Sequence, residues 1–521
     1  MAGADLLIGI DAGTSVIKAV AFDLGGNQVA VAATPNRYTS RSSDGAAFQS
    51  MEQTWGSCAD TLRALGETLP GLAARVAAIA VTAQGDGTWL VGAQERPVTD
   101  GWIWLDARSA PTVARLRAAD ADAIRFHHTG SGLNVCQQGS QIAHMLATSP
   151  ELVAAAEVAL HPKDWLYLKL TGVRATDPSE ACFTFGDFRT RTYSDTVIDA
   201  LGLAKETRLL PPILDGSTLT HPLTDVAAAA TGLLAGTPVS LGFVDVVCTA
   251  LGAGIVTDRP AACTIIGSTG MHMRAVEAAA ASLNDARTGY VMCLPLPGMV
   301  AMLQSNMAAT LNIDWLLAVA DDLLSGFGAP QDKAALIARI DQWMAESAPS
   351  GLLYHPYISD AGERGPFVNA AARASLIGLS HSHRFNDLVR AVVEGLGMAA
   401  RDCYAAMGPM PPELRLTGGA VRSAALRGVL AASVGAPTRV SSREEAGAAG
   451  AAMIAAVATG VYPDMDACIA DWVTPTLGRA EPNDPALTAL YAGRYPAYRA
   501  ARLALEPVWS DLARRQDDHH A

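Results

Sequence analysis

Charge is scarce in this 521-residue chain: 17% of residues are Asp, Glu, Lys or Arg, and acidic side chains outnumber basic ones 51 to 38, for a net charge of −13. No run rich in Lys and Arg is present, so the electrostatic footprint of a protein that binds nucleic acid or anionic lipid is missing. Apolar runs such as 446–460 fall short of the roughly 20 residues a membrane helix needs, so no membrane span is expected. Cysteine is confined to eight scattered positions, 58, 136, 182, 248, 263, 293, 403 and 468, with no C-x-x-C pair and no secretory signal ahead of them. That spacing predicts reduced core thiols and a cytoplasmic location. His381-Ser382-His383 has metal-like proximity, but no nearby Cys or acid completes a zinc set. No Gly-Lys dipeptide occurs, which excludes a Walker A loop, and no strand-associated G-x-G-x-x-G supports a dinucleotide fold.

Apolar residues, by contrast, make up 50% of the chain, and the length exceeds that at which one hydrophobic core keeps growing. Two domains with a cleft between them are therefore expected. Short apolar runs alternate with helical patterns in both halves, as in α/β layers. Residues 6–10 form a buried-strand run closed by Asp11-Ala12-Gly13-Thr14-Ser15. Runs 16–22 and 28–33 follow around the Gly25-Gly26-Asn27 turn, which predicts a three-stranded meander. The design recurs midway, where 262–266 runs into Gly267-Ser268-Thr269-Gly270 and then 271–276. A strand candidate at 238–241 leads into Gly242-Phe243-Val244-Asp245 and an apolar helix over 246–255. The boundary belongs there, with residues 1–246 in the first domain and 247–521 in the second, its last helices free to pack back on the first. The strand 414–417 runs into Gly418-Gly419-Ala420 ahead of a helix near Ser423, a junction that sets backbone N–H groups beside a ligand. Residues 517–521 read as a frayed tail.

Three turns after buried strands, Gly13-Thr14-Ser15, Gly267-Ser268-Thr269 and Gly418-Gly419, carry the chemistry. Small residues let backbone amides approach phosphate oxygens, and the hydroxyls add donors. One such turn is only a turn; the ordered set is a stronger signal. Together with Gly9-Ile10-Asp11 and Lys18, Trp104-Leu105-Asp106-Ala107-Arg108, Gly242-Phe243-Val244-Asp245, Thr417 to Ser423 and Glu444-Glu445-Ala446-Gly447-Ala448, they give a chain that resembles the FGGY family of carbohydrate kinases from Ile8 to about Tyr462. The resemblance implies two ribonuclease-H-like α/β domains of the actin-like ATPase fold with a catalytic cleft between them, and ATP and Mg²⁺ as the reagents. By it, Asp11 holds Mg²⁺ through water, while Gly13, Thr14, Ser15 and Lys18 grip the phosphates from one side and Gly267, Ser268 and Thr269 from the other. Gly418, Gly419 and Ser423 pack beneath adenine and ribose, and Asp245 is the general base. The plainer alternatives are an Asx turn for Asp11, a helix N-cap for Asp245 and a solvent-facing Lys18.

On the acceptor side, Thr82 to Thr88 matches the segment with which the family reads substrate hydroxyls, making Gln84 and Asp86 candidates. Gly85 stands where glycerol kinases carry Arg, removing a cation and opening space. Val246 stands where many members carry an amide. Trp104, Asp106 and Arg108 are spaced i, i+2, i+4, so in extended backbone they share a face, an aromatic wall with a carboxylate and a guanidinium; a surface Arg–Asp pair is the alternative. Asn306 completes the set. Within the family, the runs 79–90 and 304–312 look most like erythritol kinases, which implies phosphorylation of a terminal hydroxyl of a small polyol by hydrogen-bonding side chains around a small volume. A ketopentose such as xylulose or ribulose is the runner-up acceptor. An actin-like ATPase or a silent sugar sensor is the alternative of another class. The resemblance also implies a homodimer.

Overall fold

Strand Leu6–Ala12 pairs antiparallel with Val16–Asp23, from Leu6↔Asp23 to Ala12↔Ile17, and Val16–Asp23 pairs antiparallel with Gln28–Pro35, so the predicted meander forms. In this computed structural model, which describes residues 3–257 and 261–520, Val76–Ala83 then joins Leu6–Ala12 in parallel and Pro238–Leu241 joins Val76–Ala83 in parallel. The six-stranded sheet runs, edge to edge, His221–Pro222, Pro238–Leu241, Val76–Ala83, Leu6–Ala12, Val16–Asp23, Gln28–Pro35. Leu6, Leu7, Ile8 and Ile10 are all fully buried, which is why this strand reads as an unbroken apolar run where a half-exposed strand would alternate.

The second lobe repeats the plan. Ala262–Ile266 pairs antiparallel with Gly270–Glu277, which pairs antiparallel with Met299–Asn306; Leu414–Thr417 and then Thr438–Val440 add in parallel on the other side. Tyr290–Cys293 extends the meander edge. The two Gly/Thr/Ser turns therefore occupy equivalent places, each the tight turn between the first two strands of its sheet. The final helix spans Pro485–His520 and packs on helices Phe385–Ala405 and Ala424–Val434. Its backbone is helical through 517–520, where the sequence reads as a frayed tail, while Ala521 lies outside the described residues. Trp472 reaches the first lobe: its ring lies 5.3 Å from Phe22, and its Nε1 donates to Leu24 O at 3.1 Å.

The lobes are joined where helix Ala446–Ala458 crosses strand Leu6–Ala12 and helix Asp245–Gly252. Most of this helix is Ala and Gly, and at its crossings the reason is steric. A Cβ on Gly9 would sit 1.9 Å from Ala448 O, one on Gly450 2.0 Å from Cys248 O, and one on Gly252 2.2 Å from Ala446 O. Each neighbour is a backbone carbonyl that cannot swing aside.

Ala is a better helix former than Gly by about 1 kcal/mol, yet Gly450→Ala is expected to lower the thermal midpoint, because overpacking against a fixed backbone costs about 1–3 kcal/mol or more. Gly428→Ala, in exposed helix with nothing within 4 Å of the new methyl, is expected to raise it. Differential scanning calorimetry of the two variants checks the pair of signs.

Candidate active site

A cavity of about 250 Å³ opens between the lobes, with Thr14, Asp86, Trp104 and Asp245 on one side and Thr269 and Asn306 on the other. A second cavity of about 370 Å³ lies in the second lobe, lined by Gly267, Ser268, Gly419, Ser423 and the apolar side chains Ile313 and Ile340. Consecutive residues of one turn thus face two cavities: Gly267 and Ser268 the second, Thr269 the first.

Asp245 is the first residue of its helix, whose capping position is Val244, with no side-chain capping bond. Among the described residues its carboxylate accepts only from the adjacent Val246 N, at 2.7 Å, so it does not serve as the N-cap. The approach to it is pinned at three points: Gly242 N donates to Val81 O at 2.9 Å, Thr82 Oγ1 to Phe243 O at 2.6 Å, and Val244 N to Ser179 Oγ at 3.1 Å. Ser179 is anchored by Asp177, which pairs with the fully buried Lys163 at 2.8 Å. Burial pushes the Asp245 carboxyl well above the usual range, and the charge of Asp11 raises it further.

Asp11 ends strand Leu6–Ala12 pressed against the inter-lobe helix, where a Cβ on Gly447 would lie 2.4 Å from Asp11 Oδ2. Burial first, then the nearby Glu445 charge, raises its carboxyl to about 6. Among the described residues no group of three His, Cys, Asp or Glu could hold a metal, whereas Mg²⁺ needs only one or two carboxylates beside phosphate oxygens. Asp11 lines neither cavity, but a desolvated carboxylate two residues ahead of the Gly13-Thr14-Ser15 turn fits that requirement.

Thr14 sits in a closed hydrogen-bond circuit. Trp104 Nε1 donates to Thr14 Oγ1 at 2.8 Å, which donates to Gln84 Oε1 at 2.7 Å; Gln84 Nε2 donates to Gln49 Oε1 at 2.6 Å, and Gln49 Nε2 returns to Thr14 O at 2.8 Å. Gln84 therefore lines the inter-lobe cavity while tied to the Gly13-Thr14-Ser15 turn. Asp86 lines it more freely, with one oxygen taking the Cys136 thiol at 3.2 Å.

Asp106 and Arg108 lie elsewhere. A turn closed by Asp106 N to Ile103 O at 2.9 Å interrupts the extended backbone on which the shared face depended, so only Trp104 enters the cavity. Asp106 is fully buried, accepting from Ala47 N and Arg108, whose guanidinium lies 3.4 Å from the Trp102 ring centre. Lys18 pairs with Glu445 at 2.9 Å across the lobes and lines neither cavity. Gly13, Ser15 and Gly418 also line neither; Gly418 has φ +99 and lies where a Cβ would strike Ile266 O at 2.4 Å. Ser423 caps its helix, and Asp341 occupies that N-terminus, accepting from Ser423 Oγ at 2.5 Å and Ala424 N at 3.1 Å. Asn306 is spent on protein partners, donating to Gly365 O at 2.9 Å and accepting from His272, whose pKa burial lowers to about 4. His383 belongs to an exposed turn closed on Ser380. Sequence reasoning missed Gln49, Tyr290 and Arg364. For Arg364 the available signal was the charged Glu363-Arg364 pair inside a Gly- and Pro-flanked turn.

No helix among the described residues is long and apolar enough to cross a membrane, and all eight cysteines are buried and free. The model for the N-terminal domain of the FGGY family of carbohydrate kinases matches residues 6–252, and that for its C-terminal domain residues 261–459. A protein of Brucella abortus (strain 2308) named erythritol kinase is 64% identical over 510 residues, 98% of each chain. One of Escherichia coli (strain K12) named xylulose kinase is 30% identical over 432 residues, 82% of this chain and 84% of that one. Among solved structures, the xylulose kinase from Rhodospirillum rubrum superposes with a TM-score of 0.85 at 26% identity, over 97% of this chain and all of that one. The overall fold is thus shared with a solved xylulose kinase, and the chain belongs to the FGGY family of carbohydrate kinases.

Proposed function

We propose that the chain transfers the γ-phosphoryl group of ATP to a terminal hydroxyl of erythritol, with Asp245 as general base. One observation carries this reading: Asp245, Thr14 and Thr269 share a cavity, while Gly267 and Ser268 of the same turn open on the neighbouring one. A nucleotide whose base lies between the isoleucines of the larger cavity then presents its last phosphate at the turn facing Asp245. The 64% identity to an erythritol kinase and the modest volume of the acceptor cavity support a four-carbon polyol.

The acceptor hydroxyl donates its hydrogen bond to Asp245, whose raised pKa suits it to take the proton as the hydroxyl oxygen bonds to the γ-phosphorus and the bond to the β-phosphate oxygen breaks. Thr14 and Thr269 face the transferred group from opposite lobes, so closure of the cleft aligns donor and acceptor and excludes water. Asp11 is the residue that would hold Mg²⁺, which when bound supplies positive charge for the phosphate oxygens.

The direct test follows ADP release from Mg-ATP with erythritol, glycerol, xylitol, D- and L-xylulose and ribulose. Erythritol is expected to give the highest kcat/KM, and Asp245→Asn to lower kcat by about 10²–10⁴-fold. No acceptor-dependent release by the wild type overturns the kinase reading, and preference for a ketopentose overturns only erythritol.

Because the folded-state pKa of Asp11 is raised from 3.8 to about 6, its stabilising contribution is complete below about pH 4 and is lost as pH rises through 6. Without metal and nucleotide, the wild-type thermal midpoint is therefore expected to fall relative to Asp11→Asn across that window. Adding Mg²⁺ and ADP is expected to narrow the gap, and a gap that widens instead counts against a cation at Asp11.

A further inference from the structure

Two charged groups in the acceptor cavity are left unused. Asp86 Oδ1 is buried without a hydrogen-bond partner, and so is Arg364 Nε. Both side chains line the cavity, and their charges are felt across it, yet no ion pair joins them among the described residues. They come from opposite lobes, Asp86 from the segment after strand Val76–Ala83 and Arg364 from the loop after strand Leu353–His355. Asp86 is held at φ 62, in the left-handed region that a non-glycine residue adopts at a cost. Gly87 behind it allows no side chain, since a Cβ would meet Trp102 O at 2.3 Å.

Position 85 cannot supply a cation beside Asp86. A Cβ there would meet Val244 Cγ2 at 2.5 Å and Glu180 Oε1 at 3.1 Å. The guanidinium that faces Asp86 therefore comes from the other lobe. A hydroxyl is the group that satisfies both, donating to the carboxylate and accepting from the guanidinium. Arg364 and Tyr290 are also the two residues that line both the acceptor cavity and a further cavity of about 220 Å³, walled by Asn134, Thr288 and Glu363. None of the phosphate turns reaches that further space.

We propose that Arg364 sets acceptor length: with Asp86 it holds the hydroxyl remote from the transferred phosphoryl group, and its side chain closes the cavity to longer chains. The proposal rests on the kinase reading and adds to it a specificity-determining residue from the second lobe. It explains how substrate draws the lobes together, because the remote hydroxyl is complete only when both lobes contact it.

The test compares erythritol, butane-1,2,3-triol, which lacks one terminal hydroxyl, and xylitol, for wild type, Arg364→Lys, Arg364→Gln and Arg364→Ser. Loss of a charge-assisted hydrogen bond is expected to lower kcat/KM for erythritol about 10- to 100-fold in Arg364→Gln, with KM for ATP unchanged. The wild type's preference for erythritol over the triol should collapse in that variant and largely persist in Arg364→Lys. Arg364→Ser, which opens the partition, should shift the ratio of xylitol to erythritol turnover toward xylitol by about tenfold or more. An unchanged erythritol-to-triol preference in Arg364→Gln overturns the proposal while leaving the kinase reading intact, as does parallel loss of ATP affinity in every variant, the mark of a folding role. Absence of polyol-dependent ADP release from the wild type overturns both.

Discussion

The structure depends on one close approach, the crossing of an Ala/Gly helix over a strand and a second helix at distances that only glycine permits. Helix Ala446–Ala458 brings Gly447 against Asp11, Ala448 against Gly9, and Gly450 against Cys248 in the helix that begins with Asp245. The carboxylates of Asp11 and Asp245 are thus fixed relative to one rod that belongs in sequence to the opposite lobe. Lys18 and Glu445 brace the start of the same rod from outside. A methyl at any of these glycines would separate the elements carrying Asp11 and Asp245, so the packing of small residues and the geometry of the cleft are one constraint.

That constraint has an electrostatic consequence. Burial raises the carboxyls of Asp11, Asp245 and Asp86 alike; like charge adds to it at Asp245, from Asp11, Glu180 and Asp86, and at Asp11, from Glu445, whereas at Asp86 the nearby Cys136, Arg364 and His161 oppose it. Behind them Glu180, raised to about 7, leans toward His161, while Lys163 lies between Asp164 and Asp177. Buried ion pairs are weak contributors to net stability, but removing one partner strands the other. Here the buried triad holds Ser179, and through it the backbone of Val244, so it fixes the carboxylate next to it more than it strengthens the core.

The sequence was most legible where function follows a strand end. Thr14, Asp245 and Thr269 lie within a residue or two of strands or turns whose apolar pattern is local, and their meeting in one cavity follows from the repeated sheet plan. Legibility failed where a local rule met an unseen turn or a distant partner. Asp106 and Arg108 were placed on a shared face by assuming extended backbone, and the turn at 103–106 redirects both into a buried latch with Ala47 and Trp102. Asn306 faces the cavity but is consumed by Gly365 and His272, a fate set by residues 59 and 34 positions away. Gln49 carries no motif, because it acquires its place from tertiary packing alone, and at Arg364 the charged pair in a Gly- and Pro-flanked turn marks the loop without saying which cavity it reaches.

The circuit Trp104, Thr14, Gln84, Gln49 shows why acceptor and phosphate sites cannot be partitioned in this cleft. Thr14 Oγ1 accepts from Trp104 and spends its single proton on Gln84, and its carbonyl is held by Gln49. Trp104 and Gln84, which wall the inter-lobe cavity, therefore help to fix the conformation of the Gly13-Thr14-Ser15 turn. A hydrogen-bonded ring of this kind polarises around its length and is rigid only when every member is in place. Any acceptor group that competes for Gln84 changes what Thr14 can offer a phosphate oxygen, and by reciprocity of binding free energies a phosphate that recruits Thr14 changes what Gln84 can offer the acceptor. On the proposed kinase reading, coupling between the two substrates would run through these four side chains of the first lobe, before any movement of the second.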